Sequence, residues 1–215
     1  PFATTSEMSP RRMRRQLRAQ ALRARQALSS MCRQRQIEWS FAVMRGDVSS
    51  KVLEEAADAD LLCLGKASRP VIPRSGMGST ARAAATRAPH SVLLISRGAH
   101  VRPPVVVPYD GSPETLQSLL LAGRLAQDTG GFLSILVPAR AAAPSEEIKE
   151  EITDQLDGGD LVIRYRQLSG SGVMSLIAGV GTEGCGTLVL SRAVLPADDL
   201  GTLLEAVDCP VLLVQ

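Results

Sequence analysis

Aromatic side chains are scarce in this sequence, where Phe, Trp and Tyr together make up 3% of the residues. The core must therefore be aliphatic, as it is where helices pack on a parallel sheet. Long apolar runs are also missing, because VLLI at 92–95 and VVVP at 105–108 fall far short of the roughly 20 residues of a membrane helix. No positively charged start followed by an apolar stretch and a small-residue cleavage site appears in these residues, which gives secretion no support. We expect a soluble, cytoplasmic α/β protein.

Patterns typical of metal sites and catalysis are also lacking. The four cysteines are widely spaced and form no CxxC, which favours reduced thiols over disulfides or metal ligands. His90 and His100 have no second ligand at a metal-binding spacing. No Ser/His/Asp grouping, HExxH or Cys/His signature occurs. We expect neither a metal site nor an enzyme, although slow hydrolysis of a bound nucleotide stays open.

The charge is divided between the two halves of the chain. Residues 1–100 hold 17 Lys and Arg against 7 Asp and Glu, whereas residues 101–215 hold 7 against 15. The nine arginines of 11–35 lie on a predicted helix over 10–36, and an acidic helix is predicted at 145–156. A solvated face, attraction between the halves, and contact with nucleic acid or an anionic membrane all remain open. Because the helix lacks interleaved aromatics and bulky membrane anchors, the solvated face is preferred, and we expect no membrane contact and do not expect nucleic acid as a partner.

An internal repeat organises the chain. LLCLGKA at 61–67 matches TLVLSRA at 187–193, and SVLLIS at 91–96 matches PVLLVQ at 210–215. The second half predicts five strands alternating with four helices, which indicates a doubly wound parallel sheet. The first half predicts only the later part of that plan, including a strand at IEWSFAV (37–43) and a helix at VSSKVLEEAADA (48–59). Since two strands and a helix have no counterpart, we expect that an upstream segment is missing.

Three signatures resemble the universal stress protein family in its tandem form. They are VVVPYDGSPETLQSLLLAGRLA from Val105, ADLLCLGKASR from Ala59, and a glycine pattern that runs from Gly65 to Gly78 and Ser79, with Ser68 in place of its second glycine. The resemblance implies two doubly wound, adenine nucleotide alpha hydrolase-like α/β domains, at 1–99 and 100–215, the first of them incomplete. It also implies a stress-response role, ATP binding and pairing of the two closing strands.

The stretch RSGMGSTARA at 74–83 predicts a phosphate loop. Gly76 and Gly78 allow close approach of backbone amides, Ser79 and Thr80 offer a helix cap and hydroxyl donors, and the helix start adds unpaired N–H groups. The loop sequence between Gly65 and Pro89 has no acid. A purely structural turn capped by Ser79 is the open alternative, and the Walker pattern is absent. The predicted ligand is ATP, with or without Mg²⁺.

The corresponding loop of the second half is predicted not to bind ATP. Aligning the strands sets Ser191 opposite Gly65 and Ala197 opposite Gly78, across a shorter loop. Asp198 and Asp199 follow at the helix start, where they could cap the helix and would repel phosphate. Asp110 matches a family position near the nucleoside, but it also suits a turn cap.

These observations predict a non-catalytic stress-response protein that binds ATP through Gly65, Gly76, Gly78, Ser79 and Thr80. The alternative is a nucleotide-free interaction scaffold or dimerisation module. We expect the two repeats of one chain to mimic a dimer, and a homodimer remains open.

Overall fold

The computed structural model describes residues 10–67, 76–139, 150, 154 and 161–215. Strands and helices alternate along most of this length, as the repeat predicts. The helices are α1 (Pro10–Arg35), α2 (Val48–Glu55), α3 (Ser79–Arg87), α4 (Pro113–Thr129), α5 (Val173–Thr182) and α6 (Ala197–Ala206). The strands are β1 (Leu61–Gly65), β2 (Ser91–Ile95), β3 (Val105–Pro108), β4 (Phe132–Val137), β5 (Val162–Gln167), β6 (Thr187–Ser191) and β7 (Val211–Val214). Short 3₁₀ turns follow α2 and β6, at Ala56–Asp58 and Arg192–Val194.

The seven strands form one sheet in the order β1-β2-β7-β6-β3-β4-β5. Every neighbouring pair is parallel except β2 and β7, which are antiparallel. The predicted α/β doubly wound class is confirmed. The predicted pairing of the two closing strands is also confirmed, with Val92 opposite Leu213 and Leu94 opposite Val211.

Successive strand residues point to opposite faces of the sheet, and each face carries its own aliphatic core. On one face Val106, Leu188 and Leu190 pack with α3, α5 and α6. On the other face Val105, Val107 and Val189 pack with α4. Because α3 contributes only alanines to this core, among them Ala84 with no exposed surface, its backbone can lie close to its neighbours.

The predicted strand at 37–43 is wrong. Residues 37–45 form neither strand nor helix, and their side chains are exposed. The matching segment of the second half is β5, which pairs along six residues with β4. No described part of the first half supplies a strand equivalent to β4, so 37–43 has no neighbour with which to form a ladder.

Two compact units make up the chain, one ending at Gly46 and the other running from Asp47 to Gln215. Both repeats contribute strands to the sheet of the second unit, because β2 joins β7. The division at residues 99 and 100 stays a prediction based on the repeat.

Helix α1, in the first unit, begins and ends within one residue of its prediction, and most of its described side chains are exposed. Within the described ranges, no helix combines the length and apolarity that crossing a membrane requires. The predicted acidic helix at 145–156 lies outside the described residues, except for Glu150 and Asp154.

Candidate functional site

The predicted phosphate loop starts where β1 ends. Gly65 is the last strand residue, and the next amide, that of Lys66, donates to the carbonyl of Ile95 at 2.9 Å. The carbonyl of Lys66 accepts a hydrogen bond of 2.8 Å from the amide of Gly78. The loop therefore returns to its own starting point and is closed there by a backbone hydrogen bond. Residues 68–75, which include Ser68, lie outside the described part of the chain.

Helix α3 starts directly after this closure. Gly76 has a φ of +117°, a conformation that favours glycine, and Gly78 is the N-cap. The prediction that Ser79 caps the helix is wrong, since Ser79 is its first residue and no side chain caps it. The first helical hydrogen bond runs from Arg82 N–H to Gly78 O at 2.9 Å. No described residue accepts a hydrogen bond from the amide of Ser79 or Thr80.

The two predicted hydroxyl donors differ in their surroundings. Ser79 is exposed at the helix start. Thr80 is half-buried, and its Oγ1 lies 3.3 Å from Ser49 Oγ of α2, so that hydroxyl already has a protein partner. Ser79 is thus the more available of the two for a ligand.

An acid from the second repeat lies beside the loop. A Cβ at Gly76 would stand 3.6 Å from Glu205 Oε1 of α6, and Glu205 also accepts from Arg82 Nη2 at 2.5 Å. The sequence between Gly65 and Pro89 contains no acid, as expected, but the fold brings the carboxylate of Glu205 next to the loop. Glu205 offsets the positive charge of Arg82 at the site. Because both side chains are half-exposed, their ion pair contributes little stability.

Lys66 was missed by the sequence reasoning. Its side chain is 6% exposed, and Nζ donates to the carbonyl oxygens of Val207 at 2.7 Å and Cys209 at 2.9 Å. Burial lowers the pKa of this ammonium, although nearby acidic groups oppose the effect. Lys66 therefore holds the segment after α6 and does not face the loop. Its position next to Gly65, at a repeat position that is again basic in the second half, was the available signal.

That repeat partner, Arg192, makes the reciprocal contact. Its guanidinium donates to the carbonyl oxygens of Ala88 and His90, which follow α3. Lys66 directly follows β1 and binds carbonyls that follow α6 of the second repeat. Arg192 directly follows β6 and binds carbonyls that follow α3 of the first repeat. A cation at this point also faces the negative end of the helix dipole.

The second-half loop lacks the geometry of the first. Ser191 caps its own turn, accepting from Ala193 N–H at 3.2 Å, and α6 has Pro196 as N-cap and begins at Ala197. Asp198 and Asp199 lie in its first turn, as predicted, although neither caps it by a side-chain hydrogen bond. This arrangement is consistent with the prediction that this half binds no ATP, which stays a prediction.

Asp110 serves the turn after β3. Its Oδ1 accepts from Ser112 N–H at 2.9 Å and from Thr115 Oγ1 at 2.8 Å. Burial alone would raise the pKa of Asp110, but these hydrogen bonds outweigh it and lower the pKa below its usual value. These contacts support the turn-cap interpretation, and a place near a nucleoside stays a prediction. Throughout the described ranges, no group of three or more His, Cys, Asp or Glu could hold a metal ion.

Solved structures share this arrangement of strands and helices. A universal stress protein from Archaeoglobus fulgidus DSM 4304 superposes with a TM-score of 0.68 at 13% identity, covering 100% of this chain and 82% of that protein. A protein of unknown function from Pseudomonas aeruginosa PAO1 has a TM-score of 0.63 at 12% identity, over 89% of this chain and 76% of its own. No family model matches the sequence, and no curated protein does. The chain therefore has the fold of universal stress proteins.

Proposed function

We propose that this protein is a non-catalytic stress-response protein of the cytoplasm that binds ATP at the end of β1. Gly65, Gly76, Gly78, Ser79 and Thr80 form the phosphate side of the site. The two repeats of one chain take the place of two subunits, with the second repeat as a partner that binds no nucleotide. Bound ATP acts by stabilising one conformation for a partner protein.

The start of α3 carries this proposal. A helix start without a side-chain cap leaves amide hydrogens for an anion, and the helix dipole favours negative charge there. Gly76 and Gly78 leave the backbone open to close approach, and the Gly78–Lys66 hydrogen bond fixes the loop against the sheet. The carboxyl end of a strand is also where open α/β sheets bind ligands.

The alternative is a nucleotide-free scaffold, and Glu205 favours it. Its carboxylate beside Gly76 would oppose a phosphate that approached from that side. Lys66, the buried cation next to Gly65, is already occupied by two carbonyls. In the scaffold function the glycines only turn the chain into α3.

Thermal melting with and without Mg-ATP distinguishes the two functions. At 100 times Kd, a ligand that binds only the folded state adds about 2.7 kcal/mol to stability. For a chain of this size, that stability corresponds to a rise in Tm of roughly 5–10 °C. We expect Ser79→Asp to abolish the rise, because it adds a negative charge at the first residue of α3.

Ala197→Asp is the matched control. It adds the same charge at the first residue of α6, which is the equivalent place in the second repeat, and Ala197 is exposed. We expect this variant to keep the full response to Mg-ATP. A wild type that does not respond supports the scaffold, and an equal response in both variants places the ligand elsewhere.

A further inference from the structure

Two cysteines lie side by side at the amino ends of neighbouring strands. Leu188 of β6 is opposite Val211 of β7, and Cys185 and Cys209 precede them by three and two residues. Their Sγ atoms are 3.2 Å apart and both thiols are free. Forming a bond of about 2.05 Å would require the two sulfurs to close by roughly 1 Å.

We propose that Cys185 and Cys209 form a reversible oxidation site, which hydroperoxides convert to an intramolecular disulfide. Cys185 and Cys209 line an open cavity of about 520 Å³ together with His100 and Arg102, so a small peroxide can reach the two cysteines. Neither residue belongs to the proposed ATP site, and the proposal does not depend on nucleotide binding.

The reaction balances with the peroxide as the only oxidant. The Cys209 thiolate attacks a peroxide oxygen, the O–O bond breaks, and the departing oxygen takes a proton to leave as water or an alcohol. Cys185 sulfur then attacks the sulfenic sulfur of Cys209, forming the S–S bond. The departing hydroxide takes the Cys185 proton and leaves as water. Two electrons pass from the thiols to the peroxide.

The surroundings assign different roles to the two sulfurs. The hydrogen bond with Cys185 lowers the pKa of Cys209 to about 7, and the Lys66 ammonium acts in the same direction, whereas burial opposes both. The same hydrogen bond and burial raise the pKa of Cys185. Asp208 also lines the cavity and partly offsets the positive charge of Arg102. The Lys66 ammonium also lies beside Cys209, since it donates to the carbonyl of that residue at 2.9 Å. The proposal therefore takes Cys209 as the attacking thiolate and Cys185 as the resolving thiol.

Oxidation would also act on the contact that Lys66 makes. The carbonyl of Cys209 accepts from Lys66 Nζ, and the amide of Cys185 donates to the carbonyl of Val180 at 3.3 Å. A disulfide would therefore tie the segment after α6 to the end of α5. The modification would fix the residues that hold Lys66 in place.

The test treats the Cys32→Ser/Cys63→Ser double variant, which keeps only the pair, with hydrogen peroxide. We expect intact-mass spectrometry to show the loss of two hydrogen atoms, with a cross-linked Cys185–Cys209 peptide and no covalent dimer. Dithiothreitol should restore both thiols. Adding Cys185→Ser should stop the reaction at a sulfenic acid on Cys209, trapped by dimedone, whereas adding Cys209→Ser should leave Cys185 unmodified.

Cys63 of the wild type provides the internal comparison. Cys63 is exposed, its partial desolvation raises its pKa, and the thiol–thiol contact found in the described structure is that of Cys185 with Cys209. We expect Cys209 to lose its thiol roughly tenfold faster than Cys63 at neutral pH, because a larger fraction of Cys209 is thiolate. The lower intrinsic nucleophilicity of a low-pKa thiolate offsets only part of this advantage. Slower oxidation of Cys209 than of Cys63, addition of oxygen without a disulfide, or only intermolecular cross-links would each overturn the proposal.

Discussion

At the scale of single residues, Glu183 is a buried acid of the second unit that contacts one hydroxyl and two arginines. Its carboxylate is fully buried, accepts from Ser134 Oγ at 2.8 Å and from Arg166 Nε, and lies 3.8 Å from Arg164 Nη1. Burial alone would raise the pKa of Glu183, but the hydrogen bonds and the two arginines lower it below the usual value. Glu183, at the end of α5, thus joins that helix to β4 and β5.

Because its folded-state pKa is lowered, Glu183 stabilises the fold above pH 4.5, and this contribution is lost as the pH falls through the folded value. We expect Glu183→Gln to cost about 1 kcal/mol at pH 7, below the roughly 1.5–3 kcal/mol of charged hydrogen bonds, because both arginines are more than a third exposed. The variant should also flatten the fall of stability in acid. Urea unfolding from pH 7 to pH 3 measures both effects. Equal stability at pH 7 would contradict the first, and parallel pH curves for the two proteins would contradict the second.

At the scale of secondary-structure elements, the residue before β6 must be glycine because no space is left there for a side chain. A Cβ at Gly186 would overlap the backbone carbonyls of Arg102 and Pro103, just before β3. The next residue continues the contact, because Thr187 Oγ1 donates to Arg102 O at 2.9 Å and accepts from Arg102 N–H at 3.0 Å. The backbones before β3 and β6 therefore touch directly.

We expect Gly186→Ala to destabilise the protein by about 2 kcal/mol or more, since backbone must move to admit the methyl group. Gly181→Ala is the control, because a Cβ there meets no atom within 4 Å and Gly181 lies in α5. Replacing this helical glycine should stabilise the protein by about 0.5–1 kcal/mol. Chemical denaturation measures both, and equal changes would show that the close contact is not what requires glycine at 186.

At the scale of the whole molecule, two cations of the second unit each bind backbone carbonyls of the other repeat. Lys66 of the first repeat holds the carbonyls after α6, and Arg192 of the second holds those after α3. Both contacts flank the antiparallel junction of β2 and β7. The repeats are therefore connected by side chains as well as by the backbone ladder.

We expect Lys66→Met to destabilise the protein by about 2 kcal/mol, because the variant keeps the apolar stem but leaves two carbonyls without their donor. Arg192→Met should cost less, since Arg192 is more exposed. Arg97→Met, at an exposed cation nearby in sequence, should change stability by no more than about 0.5 kcal/mol. Urea unfolding measures all three, and a Lys66 variant as stable as the Arg97 variant would contradict the cross-repeat role.

The sequence predicted most of the fold because local signals and the repeat agree. Strands β1, β2, β6 and β7 lie where the matching aliphatic segments were found, and their closing pair was expected. The strand at 37–43 was wrong because its apolar pattern carries no information on whether a neighbouring strand exists. A β-strand depends on a partner that lies elsewhere in the chain.

The candidate site was predictable only in part. Gly76, Gly78 and Ser79 were placed correctly at a helix start because glycine and small polar residues act locally. Glu205 and Lys66 were missed because their roles depend on contacts between residues more than 120 positions apart. The match between Lys66 and Arg192 in the repeat could have indicated a shared structural role.

Because β2 and β7 run in opposite directions, each rim of the sheet carries the carboxyl ends of one repeat's strands and the amino ends of the other's. The strands of the first repeat end at one rim and those of the second repeat at the other. A strand of five residues spans roughly 15 Å. Molecules bound at the carboxyl ends of β1 and of β6 would therefore lie at opposite rims of the sheet. Two such molecules would therefore not compete for the same space on the sheet.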